Sequence, residues 1–464
     1  MNLALFRERR EKLLNFYRDR EYFARLFSTA LPIALQNLVM SSLNLVSVMM
    51  IGQLGEVSVA AVGLSNQVYF LLTLYLFGIT SGSAIFTAQL WGKGDVPNIR
   101  RVLGLALKLA MAGGTAFFLL SVLLPSFVLG IYSQDPQVIR LGSDYLRVFG
   151  WSFLFLPVTF CFSAVLRSTG DVRLPLFVSG TALTFNALLS FLLIFGIGGL
   201  PRLGILGAAV SVLITRVLEA LVLVGITLYR RLPAAVSLVD ILNFDLAFAA
   251  RILKPIAPVA VNEVLWALGV TSYNIVYARI STESIAAMNI ASSIDNLAIV
   301  AFNGIAHACA VLVGNRIGAG EETKAFQYAG RSLGLGALGG LFVGSLILLG
   351  VEPLLGMYKV SAAVIDYTQR VLVIISLLLW LRASNLILFV GIFRSGGDTR
   401  FALLLDAGII WAIGVPLAVA GAFLFHLPVY LVYLLVMTEE LTKWLLGMRR
   451  FLSRKWIHNL AQTL

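Results

Sequence analysis

Apolar runs long enough to cross a bilayer recur along the chain at about 24–50, 58–88, 98–126, 138–166, 174–197 and 205–229. After a longer polar link they recur at about 251–278, 284–313, 325–351, 361–392, 401–425 and 427–447. A helix rises ~1.5 Å per residue, so about 20 residues span a hydrocarbon core of ~30 Å. The pattern predicts an all-α polytopic membrane protein with twelve transmembrane helices. The runs are continuous and do not alternate in polarity, which argues against a β-barrel. Cations gather at the N-terminus, at Lys93, Arg100 and Arg101, at Arg167 and Arg173, at Arg230 to Lys254, at Arg316 and Lys324, at Arg394 and Arg400, and at Arg449 to Lys455. These are every second connection, and the loops between them hold only scattered cations. The positive-inside rule therefore places both termini in the cytoplasm of a plasma (inner) membrane protein.

Composition agrees with this reading. Of 464 residues, 59% are hydrophobic and only 12% charged, and the mean hydropathy is +0.91. The formal charge of +12 sits at the ends of apolar runs, so it signals membrane topology and not nucleic acid. Residues 1–23, with Arg7, Arg9, Arg10, Lys12, Arg18 and Arg20, read as a cytoplasmic amphipathic segment lying on anionic lipid. They lack a small-residue cleavage site. Cys161 and Cys309 both fall in apolar runs and provide no disulfide framework.

The second half repeats the first. GQLGEVSVAAVGLS from Gly52 aligns with ARISTESIAAMNIA from Ala278, ITSGSAIFTAQLWGKGD from Ile79 with IAHACAVLVGNRIGAGE from Ile305, and IYSQDPQVI from Ile131 with MYKVSAAVI from Met357. Each pair is separated by 226 residues, and LRSTGDVR from Leu166 meets FRSGGDTR from Phe393 one residue further on. A constant separation over so much chain marks a duplication. Six spans per repeat is an even number, so both repeats enter from the same side and are parallel. The expected parts are an N-lobe at 24–229, a cytoplasmic linker at 230–250, a C-lobe at 251–450 and a basic tail at 451–464. Two such lobes about a central cleft form a rocking transporter.

One acid stands out. Glu263 lies twelve residues beyond Arg251 in the seventh run, roughly 18 Å deep at helical rise. A charge there costs on the order of 2.5–3.5 kcal/mol on insertion scales, so such a residue normally faces protein or a wet cavity and marks a functional site. Asp295, eleven residues past Ser284 in the eighth run, is the expected companion. With Asn262, Asn289 and Asn296, the two acids are expected to face one C-lobe cavity. Two carboxylates in a poorly hydrated site repel, so one would hold a proton; alternatively, with the amides, Glu263 and Asp295 offer oxygen ligands to Na⁺. Gln36 and Asn37 occupy the equivalent first-repeat positions. A neutral Asn37 there suggests that the N-lobe lines the path while the C-lobe couples. Tyr69 and Trp266 are further candidates for lining the cavity, since aromatic faces suit organic cations. Arg216 with Glu219, and Glu439 and Glu440 with Lys443, read as local helical pairs.

The twelve spans in two homologous lobes, the GKGD and GAGE turns and the paired R-S-x-G-D turns resemble the multidrug and toxic compound extrusion (MATE) transporters. The resemblance covers nearly the whole chain. It implies a secondary antiporter that exports amphipathic or cationic organic compounds in exchange for H⁺ or Na⁺ by alternating access. It implies no cofactor beyond the coupling ion, and a protein working as a monomer among membrane lipids. The helix 7 acid of that family, eight residues after a proline, corresponds to Glu263 after Pro255. Two family acids are missing: Ser47 stands at the helix 1 aspartate position and Ala383 at the helix 10 position of the sodium-coupled branch. The alternative is a flippase of lipid-linked saccharide in the same wider superfamily. That reading asks for extra helices or a strongly cationic cavity. An intramembrane enzyme is disfavoured, because the chain contains neither H-E-x-x-H nor G-x-S-x-G.

Overall fold

The computed structural model describes residues 19–237, 246–356, 358 and 360–463. The expected amphipathic segment at 1–23 and the middle of the linker at 230–250 therefore lie largely outside the described residues. Among the described residues, twelve long helices account for the twelve apolar runs. They are α1 Arg20–Gly52, α2 Glu56–Lys93, α3 Val96–Leu123, α4 Pro136–Ser168, α5 Arg173–Phe195, α6 Ile205–Tyr229, α7 Leu246–Ile280, α8 Thr282–Gly318, α9 Glu322–Leu355, α10 Ala362–Phe393, α11 Thr399–Leu424 and α12 Val429–Leu452. Eleven are long and apolar enough to span a membrane. The twelfth, α12, carries Glu439, Glu440 and Lys443 in its middle, which lowers its hydropathy.

The duplication reappears in the backbone. Gly94 ends α2 at φ 79°, and Gly320, 226 residues later, follows α8 at φ 77°. Behind them the Asp95 N–H donates to Leu90 O and the Glu321 N–H to Arg316 O, both at 2.9 Å. The R-S-x-G-D turns close in the same way. Gly170 and Gly397 take φ 92° and 81°, and the Asp171 and Asp398 N–H groups reach Leu166 O and Phe393 O at 2.9 Å. Only glycine enters this left-handed region without strain, so the motif glycines are helix stops. Asp135 and Ser361, also 226 apart, cap the helices that follow them.

Packing divides the chain inside α1 and α7. Residues 35–260 form one compact unit; residues 19–34 and 261–463 form the other. In the first, α2 approaches the early part of α7 so closely that a Cβ on Gly82 would overlap Ile256. In the second, the start of α1 docks on α8 and α9: Ala30 O fills the space beside Gly304, Tyr22 shares a 2.6 Å hydrogen bond with Ser332, and Arg331 donates to Asp19 at 2.6 Å. Small residues at helix crossings let the backbones meet where lipid provides no hydrophobic force between helices.

The C-terminal tail is packed. Trp456 is fully buried, and its indole N–H donates to Phe451 O at 3.1 Å. The His458 N–H donates to Gly396 O, and the Asn459 amide donates to Ile317 O. The tail thus wedges against the Arg394–Asp398 turn, where a Cβ on Gly396 would overlap the Trp456 ring.

Two outcomes are expected. Trp456→Ala removes a buried aromatic and should destabilise the 261–463 unit by about 3–5 kcal/mol, read as a lower melting temperature. The second concerns Asp19. The Tyr22 N–H, with Arg331 adding its charge, holds the Asp19 carboxyl below the ordinary carboxylate range. The clasp should therefore be complete above the unfolded-state value of about 4 and be lost as pH falls through the lowered one. In melts run at falling pH, Asp19→Asn should remove part of the acid sensitivity.

Candidate functional site

The interior of the 261–463 unit gathers charge inside the spans, on five helices whose apolar faces bring it together. Glu263 on α7 accepts a 2.6 Å hydrogen bond from Arg394, which is 5% exposed and begins the turn after α10. The last part of α10, Ile387–Phe393, is a wide π-type turn that carries Arg394 inward. Its Gly391 lies against Ala306 O and Cys309 of α8. Asp295 on α8 accepts a 2.5 Å bond from Arg382 of α10. Glu263 and Asp295 thus each take a separate arginine instead of pairing with each other.

A second cluster adjoins them. Asn262, next to Glu263 in sequence, donates through Nδ2 to Asp406 of α11 at 3.0 Å. The other Asp406 oxygen lies 3.1 Å from the Lys443 ammonium, and Glu439 and Glu440 lie 3.6 and 3.8 Å from it. Lys443 is 2% exposed. Tyr273 of α7 donates its hydroxyl to Glu439. Asn385 of α10 donates to the Glu440 carboxylate at 2.7 Å and to its backbone carbonyl at 2.8 Å. A π-type turn at Ile410–Gly414 opens α11 here, and Gly414 has no Cβ because the Tyr273 hydroxyl and Glu439 carboxylate occupy that space. The local α12 pairs expected from sequence are present, but they form part of a buried network across four helices.

The remaining candidates are dispersed. Asn289 and Asn296 lie on exposed faces of α8, and Trp266 is 43% exposed on α7. Gln36 is buried and Asn37 half-buried on α1, in the 35–260 unit. Tyr69 belongs to a cavity of about 430 Å³ in that unit. Its wall includes Met40, Met50, Tyr69, Tyr145, Phe149 and Arg216. Arg216 donates to Glu219 at 2.7 Å and to the Tyr69 hydroxyl at 3.1 Å, and Glu219 also accepts from Ser179 at 2.7 Å. The guanidinium is therefore neutralised at the cavity edge.

Sequence reading missed Asp406 and Arg382. Both sit well inside apolar runs, and the depth count that singled out Glu263 would have found them. Arg394, expected among the cations of a cytoplasmic connection, reaches Glu263 in the bundle interior. Among the described residues, no group of three or more acid, histidine or cysteine side chains is arranged to hold a metal ion.

Removing one member of a buried ion pair strands its partner. Arg382→Ala should therefore cost about 3–5 kcal/mol, while the double change Arg382→Ala with Asp295→Ala should recover much of that loss. A double-mutant cycle on thermal unfolding in detergent checks this.

Comparisons with known proteins concur on one family. The MatE family model matches residues 32–192 and 258–420. The chain is similar to a probable multidrug resistance protein NorM from Thermotoga maritima, 24% identical over 440 residues, covering 93% of this chain and 92% of that one. It is similar to a NorM-type protein from Deinococcus radiodurans, 30% identical over 318 residues and 67% of each chain. In fold it resembles the Vibrio cholerae MATE transporter VcmN in its bent form, with a TM-score of 0.84 at 20% identity, covering 94% of this chain and 99% of that one.

Proposed function

The chain belongs to the MatE family of multidrug efflux transporters, and on that premise we propose that it is a secondary antiporter. It exports amphipathic or cationic organic compounds in exchange for H⁺ or Na⁺ by alternating access, in the plasma (inner) membrane with both termini cytoplasmic. The observation that carries this reading is the charge count in the 261–463 unit. Five buried or half-buried acids, Glu263, Asp295, Asp406, Glu439 and Glu440, face three cations, Arg382, Arg394 and Lys443. A bundle interior of low dielectric does not keep surplus negative charge uncompensated, so the unit is built to take up cations or protons.

Glu263 is the coupling acid in this scheme, and Arg394 is its resident counter-charge. When Glu263 takes a proton, its ion pair with Arg394 is lost, which removes one of the contacts that hold the turn at Arg394–Asp398. The cavity of the 35–260 unit holds the organic substrate. Methionines adapt their shape, and aromatic rings stack on planar compounds, so specificity is loose. The flippase alternative asks for a cationic cavity to hold pyrophosphate. The one charged side chain among the described lining residues, Arg216, is already paired with Glu219.

Efflux of a fluorescent organic cation should follow an imposed pH or Na⁺ gradient, and the effective gradient names the ion. Glu263→Gln should lower the rate by at least about tenfold at equal expression, the scale of ~1.4 kcal/mol. Wild-type rates in Glu263→Gln would make that residue structural. No export by the wild type in either gradient would overturn the antiporter reading.

A further inference from the structure

Of the acids Glu263, Asp295, Asp406, Glu439 and Glu440, the first two each hold one arginine. The surplus falls on the other three, Asp406, Glu439 and Glu440, which share the single ammonium of Lys443 at 3.1, 3.6 and 3.8 Å. Two carboxyl groups are thus without a cation of their own. The elements packed around them present these other charged or titratable groups. From α7 come Tyr273, bonded to Glu439, and Tyr277, within electrostatic reach of it. From α8 comes Asp295, another acid. From α10 come Arg394, close enough to act on Asp406, and Arg382, close enough to act on Glu440, both already committed. On α12 itself, Tyr433 lies within electrostatic reach of Glu439 and Glu440.

A second observation points to what fills the deficit. Asn262 and Asn385 are 4% and 3% exposed, and the Oδ1 of each is buried without a hydrogen-bond partner. Their amide nitrogens hold Asp406 and Glu440 respectively, so each unfilled oxygen sits beside the cluster. Unfilled acceptors next to surplus negative charge call for a ligand that brings O–H donors. Such a ligand neutralises carboxylates without needing room for another ion beside the ammonium.

We propose that Asp406, Glu439, Glu440 and Lys443, flanked by Asn262 and Asn385, form an exchangeable proton site. The three carboxyls share two protons near neutral pH, and Lys443 is the resident cation that keeps sodium out by like-charge repulsion. This rests on the antiporter reading and extends it by naming the ion and a group of proton-binding residues that adjoins Glu263. Release of the protons leaves charges that water or the next protons must compensate.

Infrared spectra of the purified chain in lipid nanodiscs test the site without transport. The wild type should keep a protonated-carboxyl band near neutral pH that titrates away as the pH is raised. Glu439→Gln and Glu440→Gln should each reduce the band by about half, since one acid fewer needs one proton fewer to balance Lys443. Lys443→Gln should enlarge it by about half by the same count, and Glu283→Gln, exposed in the first turn of α8, should leave it unchanged. Absence of the band in the folded wild type overturns the proposal, as does a band that neither glutamine variant alters. Saturable binding of radioactive sodium that both glutamine variants lose also overturns it. A chain that shows the two-proton signal but exports in neither gradient loses the antiporter reading and keeps the site. A chain that exports but lacks the signal loses the site alone.

Discussion

A charge placed in a hydrocarbon-spanning bundle must find an opposite charge or a proton, and most of the polar architecture of this chain follows from that constraint. Lys443 is the clearest case. Its ammonium is almost wholly shielded from solvent, and the side chains that approach it come from α11 and α12. Tyr273 and Asn262 of α7 and Asn385 of α10 then hold those acids in place. Four helices are in this way fastened by one cation. The same requirement explains the widened turns in α10 and α11. Widening re-aims a helix face, and Arg394 and Gly414 stand where this lets the network close.

The two repeats share their backbone grammar and differ in their chemistry. Matched left-handed glycines and matched caps show that each repeat builds its helix ends in the same way. The interior of the first repeat places the buried ion pair Arg216 with Glu219 beside an apolar cavity. The interior of the second has three cations and five acids. Duplication provides a common scaffold, and divergence of a few interior positions separates a unit with space from a unit with charge. That division fits a carrier that takes an organic compound in one place and a coupling ion in another.

Helix ends also connect the surface to the interior. The tail beyond α12 presses Trp456 against Gly396, two residues from the arginine that holds Glu263. Arg450 of α12 donates to Asp398 at the other end of the same turn. The turn is therefore braced from the membrane surface while its first residue serves the interior, which gives the R-S-x-G-D motif two roles in one short stretch.

Much of this was legible in the order of residues. The number of spans, the duplication, the glycine stops and the depth of Glu263 all depend on local spacing, and spacing is a property of the chain itself. So does the Arg216–Glu219 pair, because residues three apart on a helix are neighbours by construction. What the tertiary structure decided is which distant groups meet. Asp295 was expected beside Glu263, yet it takes Arg382, and Glu263 takes Arg394. Lys443 was read as a partner for its own helix, yet its closest acid is Asp406 on another. Such meetings depend on helix rotation and crossing, which are set by the packing of small and large side chains over the whole bundle and leave no short-range trace in the sequence.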